Sequence, residues 1–281
     1  MGSLEIEIVE ESNERESEKV APGVDVKDVF SAAAYGDIGS LRRFVEEEGC
    51  DVSVPDGNGY YPLQLAALNA YPNVVHYVIE MWKGGDVNAV GKAEQTALHW
   101  TAVRGSISVA DFLLQNGARV EVADANGFRA VHIAAQYGQT AFLDHLIFKY
   151  NADINAPDNG GRTALHWAAH KQLTGCFCFE MRLQLSKIMM NLMTGCTPLH
   201  WAALTGNLEV CTILLHASNK EELTVKDKAG FTPAQLASDR GYQHIALSLS
   251  KAERALHQGG GGKTCVGKLR DIGYAPMLFC I

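Results

Sequence analysis

Four histidines, His99, His132, His166 and His200, recur at intervals of roughly 33 to 35 residues. Imidazoles are common metal ligands and general bases at neutral pH. A zinc ion, however, needs ligands converged within about 2.0–2.3 Å, whereas equivalent positions on successive packed helices stand about 10 Å apart. The row therefore reads as structural, and no metal is expected. Cys176-Phe177-Cys178, with His166 or His170 nearby in sequence, has no second cysteine pair and is a weak metal signature. Gly259-Gly260-Gly261-Gly262-Lys263-Thr264 suggests a phosphate loop, but the glycine required five residues before Gly262 is replaced by His257. A flexible linker accounts for it better. Because the histidines are committed to repeat positions, no catalytic set and no cofactor are expected.

The elements that must carry these residues follow the same period. Ala97-Leu98-His99-Trp100 returns as Ala164-Leu165-His166-Trp167 and as Pro198-Leu199-His200-Trp201, while Phe30, Gln64 and Gln235 fill the histidine position in other copies. Thr96, Thr163 and Thr197 stand where a hydroxyl can cap the orphan amides of a helix, and Pro198 suits a first turn because it lacks an N–H. The pairs Ala66-Ala67, Ala134-Ala135, Ala168-Ala169 and Ala202-Ala203 let helices lie close together, and Gly105, Gly138 and Gly206 permit the turn into a second helix. Those second helices stop at signals such as Asn116-Gly117-Ala118, and Asp124, Asp158 and Asp227 open exposed turns. The period and the Thr-Pro-Leu-His-type signature followed by paired alanines resemble the ankyrin repeat. The expected fold is all-α, an ankyrin-repeat solenoid of about seven helix-turn-helix repeats with β-turn fingers.

A formal net charge of −8 over 281 residues and a pI near 5.7 argue against a nucleic-acid partner. No apolar run approaches the ~20 residues of a membrane helix, so no direct span is expected. Seven cysteines, an odd number without a preceding signal peptide, fit reduced thiols in the cytosol. Residues 1–24 read as a disordered acidic tail, 25–256 as the repeat domain, and 257–281 as a Gly-rich linker and the truncated start of a membrane-proximal segment. The start of the chain departs from a myristoylation signal at Ile6, and lipidation is not expected.

Trp100, Trp167 and Trp201 each follow the signature histidine on a first helix. An indole there divides its area between core packing and a platform for a bound peptide. Taken with Ala32-Ala33-Ala34-Tyr35-Gly36-Asp37, Gly85-Asp86-Val87-Asn88-Ala89, His132 to Leu143 and Thr232 to Ala237, the triple Leu-His-Trp pattern resembles the amino-terminal half of the ankyrin-repeat DHHC-type protein S-acyltransferases, or palmitoyltransferases, those of plants above all. The resemblance implies a cytosolic ankyrin module at Golgi or other endomembranes that recruits client proteins through a concave groove. It also implies that clients touch Trp100, with Asn69 as a polar contact, and the shared repeat position makes Trp167 and Trp201 further groove candidates.

Two departures limit what carries over. The Asp-His-His-Cys of that family does not occur here, and Leu269 to Ile281 resembles the lead into its first membrane helix. This reads as a product truncated before the catalytic domain, so no acyl transfer is expected of this chain alone. From Lys171 to Thr194 the period survives but the repeat motif lapses, which fits both a reading-frame or splice change and a divergent repeat. Local order is expected to be poorest there. The alternative to a client-recruiting module is a stand-alone cytosolic ankyrin adaptor.

Overall fold

The computed structural model describes residues 26–81, 86–171, 191, 193–217 and 220–258. The expected acidic tail, the Gly-rich end and most of the lapse from Lys171 to Thr194 lie outside the described residues. The described part consists of helices and turns, without strands. The chain divides after Asp153 into two compact units.

In the first unit, helices come in pairs: α1 (Val29–Tyr35) with α2 (Ile38–Arg42), α3 (Pro62–Leu68) with α4 (Pro72–Met81), α5 (Ala97–Arg104) with α6 (Ile107–Gln115), and α7 (Ala130–Tyr137) with α8 (Thr140–Tyr150). The first helices α1, α3, α5 and α7 pack against one another in chain order, and α4 packs on α6. Ala66, Ala67, Ala102, Ala134 and Ala135 are wholly buried, because a methyl side chain lets neighbouring backbones approach. Larger residues, including Leu41, Leu63, Leu113 and Phe142, fill the space between first and second helices. The second helix of the first repeat departs from the pattern and widens into a π-turn at Arg43–Glu47.

The second unit repeats the scheme with α9 (Ala164–His170), α10 (Pro198–Thr205) and α11 (Leu208–Ala217), then α12 (Pro233–Asp239) and α13 (Gln243–Gln258). First helices α9, α10 and α12 stack in order, and α13 packs on α12. A 3₁₀ turn, Lys220–Leu223, rests against α13.

Aspartates build the fingers between pairs. Asp56, Asp124, Asp158 and Asp227 each accept backbone N–H groups two and four residues on, as Asp124 does from Asn126 at 2.9 Å and Phe128 at 2.8 Å. This local pairing satisfies the turn backbone without a sheet. Helix starts carry the expected threonine caps, with the side chain three residues on as a second partner. The Thr96 and Thr163 hydroxyls lie 2.9 and 3.0 Å from the Nδ1 of His99 and His166, and each threonine closes a capping box with the histidine three residues on. Thr197 and Thr232 accept from the amide three residues on, each at 3.4 Å.

Candidate functional site

The recurrent histidines connect one repeat to the next. The Thr96 N–H donates to His99 Nδ1 at 3.1 Å, and His99 Nε2 lies 2.9 Å from the Phe128 carbonyl oxygen of the following finger. A backbone N–H only donates and a carbonyl only accepts, so the ring is neutral with its proton on Nε2. Burial pushes the His99 pKa below the usual imidazole value despite the nearby Phe128 carbonyl and Asp124. In the second unit His166 and His200 accept from the Thr163 and Thr197 amides, each at 3.1 Å, and each reaches a carbonyl, of Cys196 and Phe231 respectively, at 3.2 Å. His132 Nδ1 accepts from the Arg129 N–H in the same way.

Glutamine does the same work where histidine is missing. Gln64 Oε1 accepts from the Tyr61 N–H at 3.1 Å, and its Nε2 donates to the Gln95 carbonyl at 2.7 Å. Both nitrogens of His99, His166 and His200 are occupied in this way, leaving no lone pair for a metal or for proton transfer. Among the described residues no group of three His, Cys, Asp or Glu is arranged to hold a metal. Burial also raises the Cys196 thiol pKa and pushes that of Cys211 to about 12, which keeps both as poor nucleophiles.

Trp100 lies on α5, partly buried against the core of the first unit, with the Tyr60 ring edge-on at 5.4 Å. Its indole Nε1–H is buried and has no acceptor among the described residues. Such a donor costs free energy unless something accepts from it. Asn69 ends the neighbouring first helix α3. Its Nδ2 is held by the Ala34 carbonyl at 2.9 Å and the Leu65 carbonyl at 3.3 Å, which fixes the amide and leaves Oδ1 as an acceptor.

Trp167 and Trp201 sit on α9 and α10 of the second unit, 6.1 Å apart and edge-to-face. His170 lies 6.2 Å from the first ring and 5.2 Å from the second. The Arg162 guanidinium stacks 4.6 Å above Trp167 and pairs with Asp158 at 2.7 Å. Trp167 Nε1 itself donates to Asp158 Oδ2 at 3.3 Å. The three tryptophans therefore differ in kind: two close a partnered aromatic cluster, while Trp100 keeps an unanswered donor.

A polar cluster on the second helices had no counterpart among the repeat motifs. Asp111 of α6 accepts from His145 Nε2 at 2.6 Å, Lys149 Nζ at 2.9 Å and the Tyr150 hydroxyl at 2.7 Å, all three from α8. Partial burial would raise its pKa, but these bonds and the His145 charge outweigh it and hold the carboxyl at about 2. The sequence signal was the spacing of His145 and Lys149, one turn apart on α8.

A family model described as ankyrin repeats in three copies matches residues 29–124, 119–181 and 176–257. The chain belongs to the ankyrin-repeat family. Among solved structures, this ankyrin-repeat chain is similar to the human ASB11 ankyrin repeat domain, with a TM-score of 0.67 at 24% identity over 80% of this chain and 98% of that one. Among curated relatives, it is 52% identical over 285 residues to probable protein S-acyltransferase 23 of Arabidopsis thaliana, covering all of this chain and 52% of that protein. It is 34% identical over 238 residues to palmitoyltransferase Hip14 of Drosophila melanogaster, covering 80% of this chain and 36% of that one. The chain thus spans about half the length of the plant relative. Among the described residues no helix is long and apolar enough to cross a membrane.

Proposed function

We propose that this ankyrin chain is the client-binding module of a protein S-acyltransferase, acting on the cytosolic face of Golgi or other endomembranes. The observation that carries the reading is the pairing of Trp100 and Asn69 on adjacent first helices of one unit. The indole offers partly exposed apolar area, and the fixed amide offers Oδ1 to a backbone N–H. An extended peptide supplies the matching groups, apolar side chains and alternating N–H and C=O. The similarity to S-acyltransferases over the whole chain supports clients that are substrates for cysteine palmitoylation. In this reading Trp167 and Trp201 border the same class of surface in the second unit, and the repeat histidines hold the helices that carry the contacts.

The acyl transfer itself is assigned to residues other than these. This sequence holds no Asp-His-His-Cys, and its buried thiols are held in the neutral form. A peptide array of cytosolic segments flanking S-acylated cysteines, probed with the purified chain, tests the proposal. Selective binding of a subset, lost with a Trp100→Ala variant that still folds, supports it. Uniform or absent binding contradicts it. The purified chain is expected to move no acyl group from acyl-CoA to any bound peptide.

A further inference from the structure

Glu222 is out of place for a carboxyl. It lies on the exposed-sequence turn Lys220–Leu223, yet only 5% of its surface is accessible, and its Oε2 is buried with no hydrogen-bond partner among the described residues. Its polar neighbour is the Thr197 side chain at the start of α10. That hydroxyl is also 2.9 Å from His200 Nδ1, and His200 Nε2 reaches the Phe231 carbonyl at 3.2 Å. A side-chain chain of Glu222, Thr197 and His200 therefore runs from the turn to the next finger. Thr96 with His99 and Thr163 with His166 form the same pair without an acid.

The titratable and charged groups on the surrounding elements include His200 on α10, His244, Lys251, Glu253 and Arg254 on α13, Lys220 and Glu221 on the turn, and Lys226, Asp227 and Lys228 in the finger. Its Oε2 has no hydrogen-bond partner among the described residues, and no charge on a described side chain offsets the burial of Glu222. An ionised carboxylate at this place would be desolvated without a cation, which is costly. A neutral carboxyl, by contrast, has no charge to desolvate there and keeps its contact with the Thr197 side chain.

We propose that Glu222 is a proton-operated latch that fastens the Lys220–Leu223 turn to the Thr197–His200 pair when protonated and releases it when ionised. Because the turn also packs on α13, release loosens the end of the second unit. Burial, against a smaller opposing bond from Thr197, raises the Glu222 pKa to about 7, so the latch works near neutral pH. The sign follows from proton linkage. Between the unfolded value near 4.5 and the folded value near 7, the folded chain holds a proton that the unfolded chain has lost. Stability from this group is full below that window and falls as pH rises through it.

The test is a carbon-13 carboxyl titration of the full chain, with the Glu222 resonance assigned through its own backbone amide. It is combined with hydrogen-exchange protection of the Lys220–Leu223 amides from about pH 5 to about pH 8. The expected result is a midpoint near 7, with protection, corrected for intrinsic rates, falling at least tenfold across it. Glu222→Gln, a neutral isostere, should keep that protection flat. A midpoint in the ordinary carboxylate range overturns the proposal, as does equal pH dependence of protection in the variant. Should the variant not fold, the wild-type titration alone decides.

Discussion

The Tyr242 ring lies over Gly206, so close that a Cβ added to the glycine would stand 2.6 Å from the ring's Cε1 and Cζ. Gly206 ends α10 with φ +77°, and Tyr242 leads into α13 one repeat later. Tyr71 covers Gly36 in the same way in the first unit, at 2.9 Å. The glycine thus serves twice, as a left-handed helix stop and as the seat for the next repeat's ring. Gly206→Ala should cost about 2–4 kcal/mol, combining left-handed strain with displacement of the ring. Gly117→Ala, at φ +93° with nothing within 4 Å, should cost only the backbone share, about 1–2 kcal/mol. Urea unfolding of the two variants separates the contributions, and equal losses would show that the ring contact adds nothing.

Asp111 gathers three donors from α8 onto α6. Asp111→Asn should lower stability by about 1–3 kcal/mol, because Lys149, His145 and Tyr150 lose a charged acceptor. The depressed carboxyl pKa contributes stability above the unfolded value of 3.8, and that share is lost as pH falls toward about 2. The wild-type and Asn unfolding curves should therefore converge at strongly acidic pH. A gap that stays constant would contradict the assignment.

His99 carries an opposite lesson about conservative change. His99→Gln should cost less than about 1 kcal/mol, because Gln64 already makes the equivalent pair of bonds one repeat earlier. His99→Ala leaves both the Thr96 N–H and the Phe128 carbonyl unanswered and should cost about 3 kcal/mol or more. With the folded pKa below the unfolded 6.5, the unfolded chain gains a proton first on acidification. Stability from His99 is therefore full above pH 6.5 and declines below it, and the glutamine variant should lose that slope. Thermal midpoints of the three proteins across this range provide the check.

Much of this arrangement was legible because each signal is local. Thr96 and His99 are three residues apart, Asp124 and Phe128 four, and the glycine after each first helix marks a left-handed stop. The period then implies which helices stack. Long-range partners were not legible: nothing near Asp111 announces Tyr150, and nothing near Gly206 announces Tyr242. The tryptophans share a motif position yet differ in surroundings, because Arg162 and Asp158 answer Trp167 while Tyr60 offers Trp100 only a ring edge. Glu222 escaped notice for the same reason, since Thr197, its partner at the start of α10, is far from it in sequence.

The most direct test of the account is the affinity of a client peptide for Trp100→Ala, measured by calorimetry alongside thermal unfolding of the same sample. The account predicts a loss of about 2 kcal/mol or more in binding by a variant that still unfolds cooperatively, with Asn69→Asp also weakening binding. Unchanged affinity in a folded Trp100→Ala protein would contradict it.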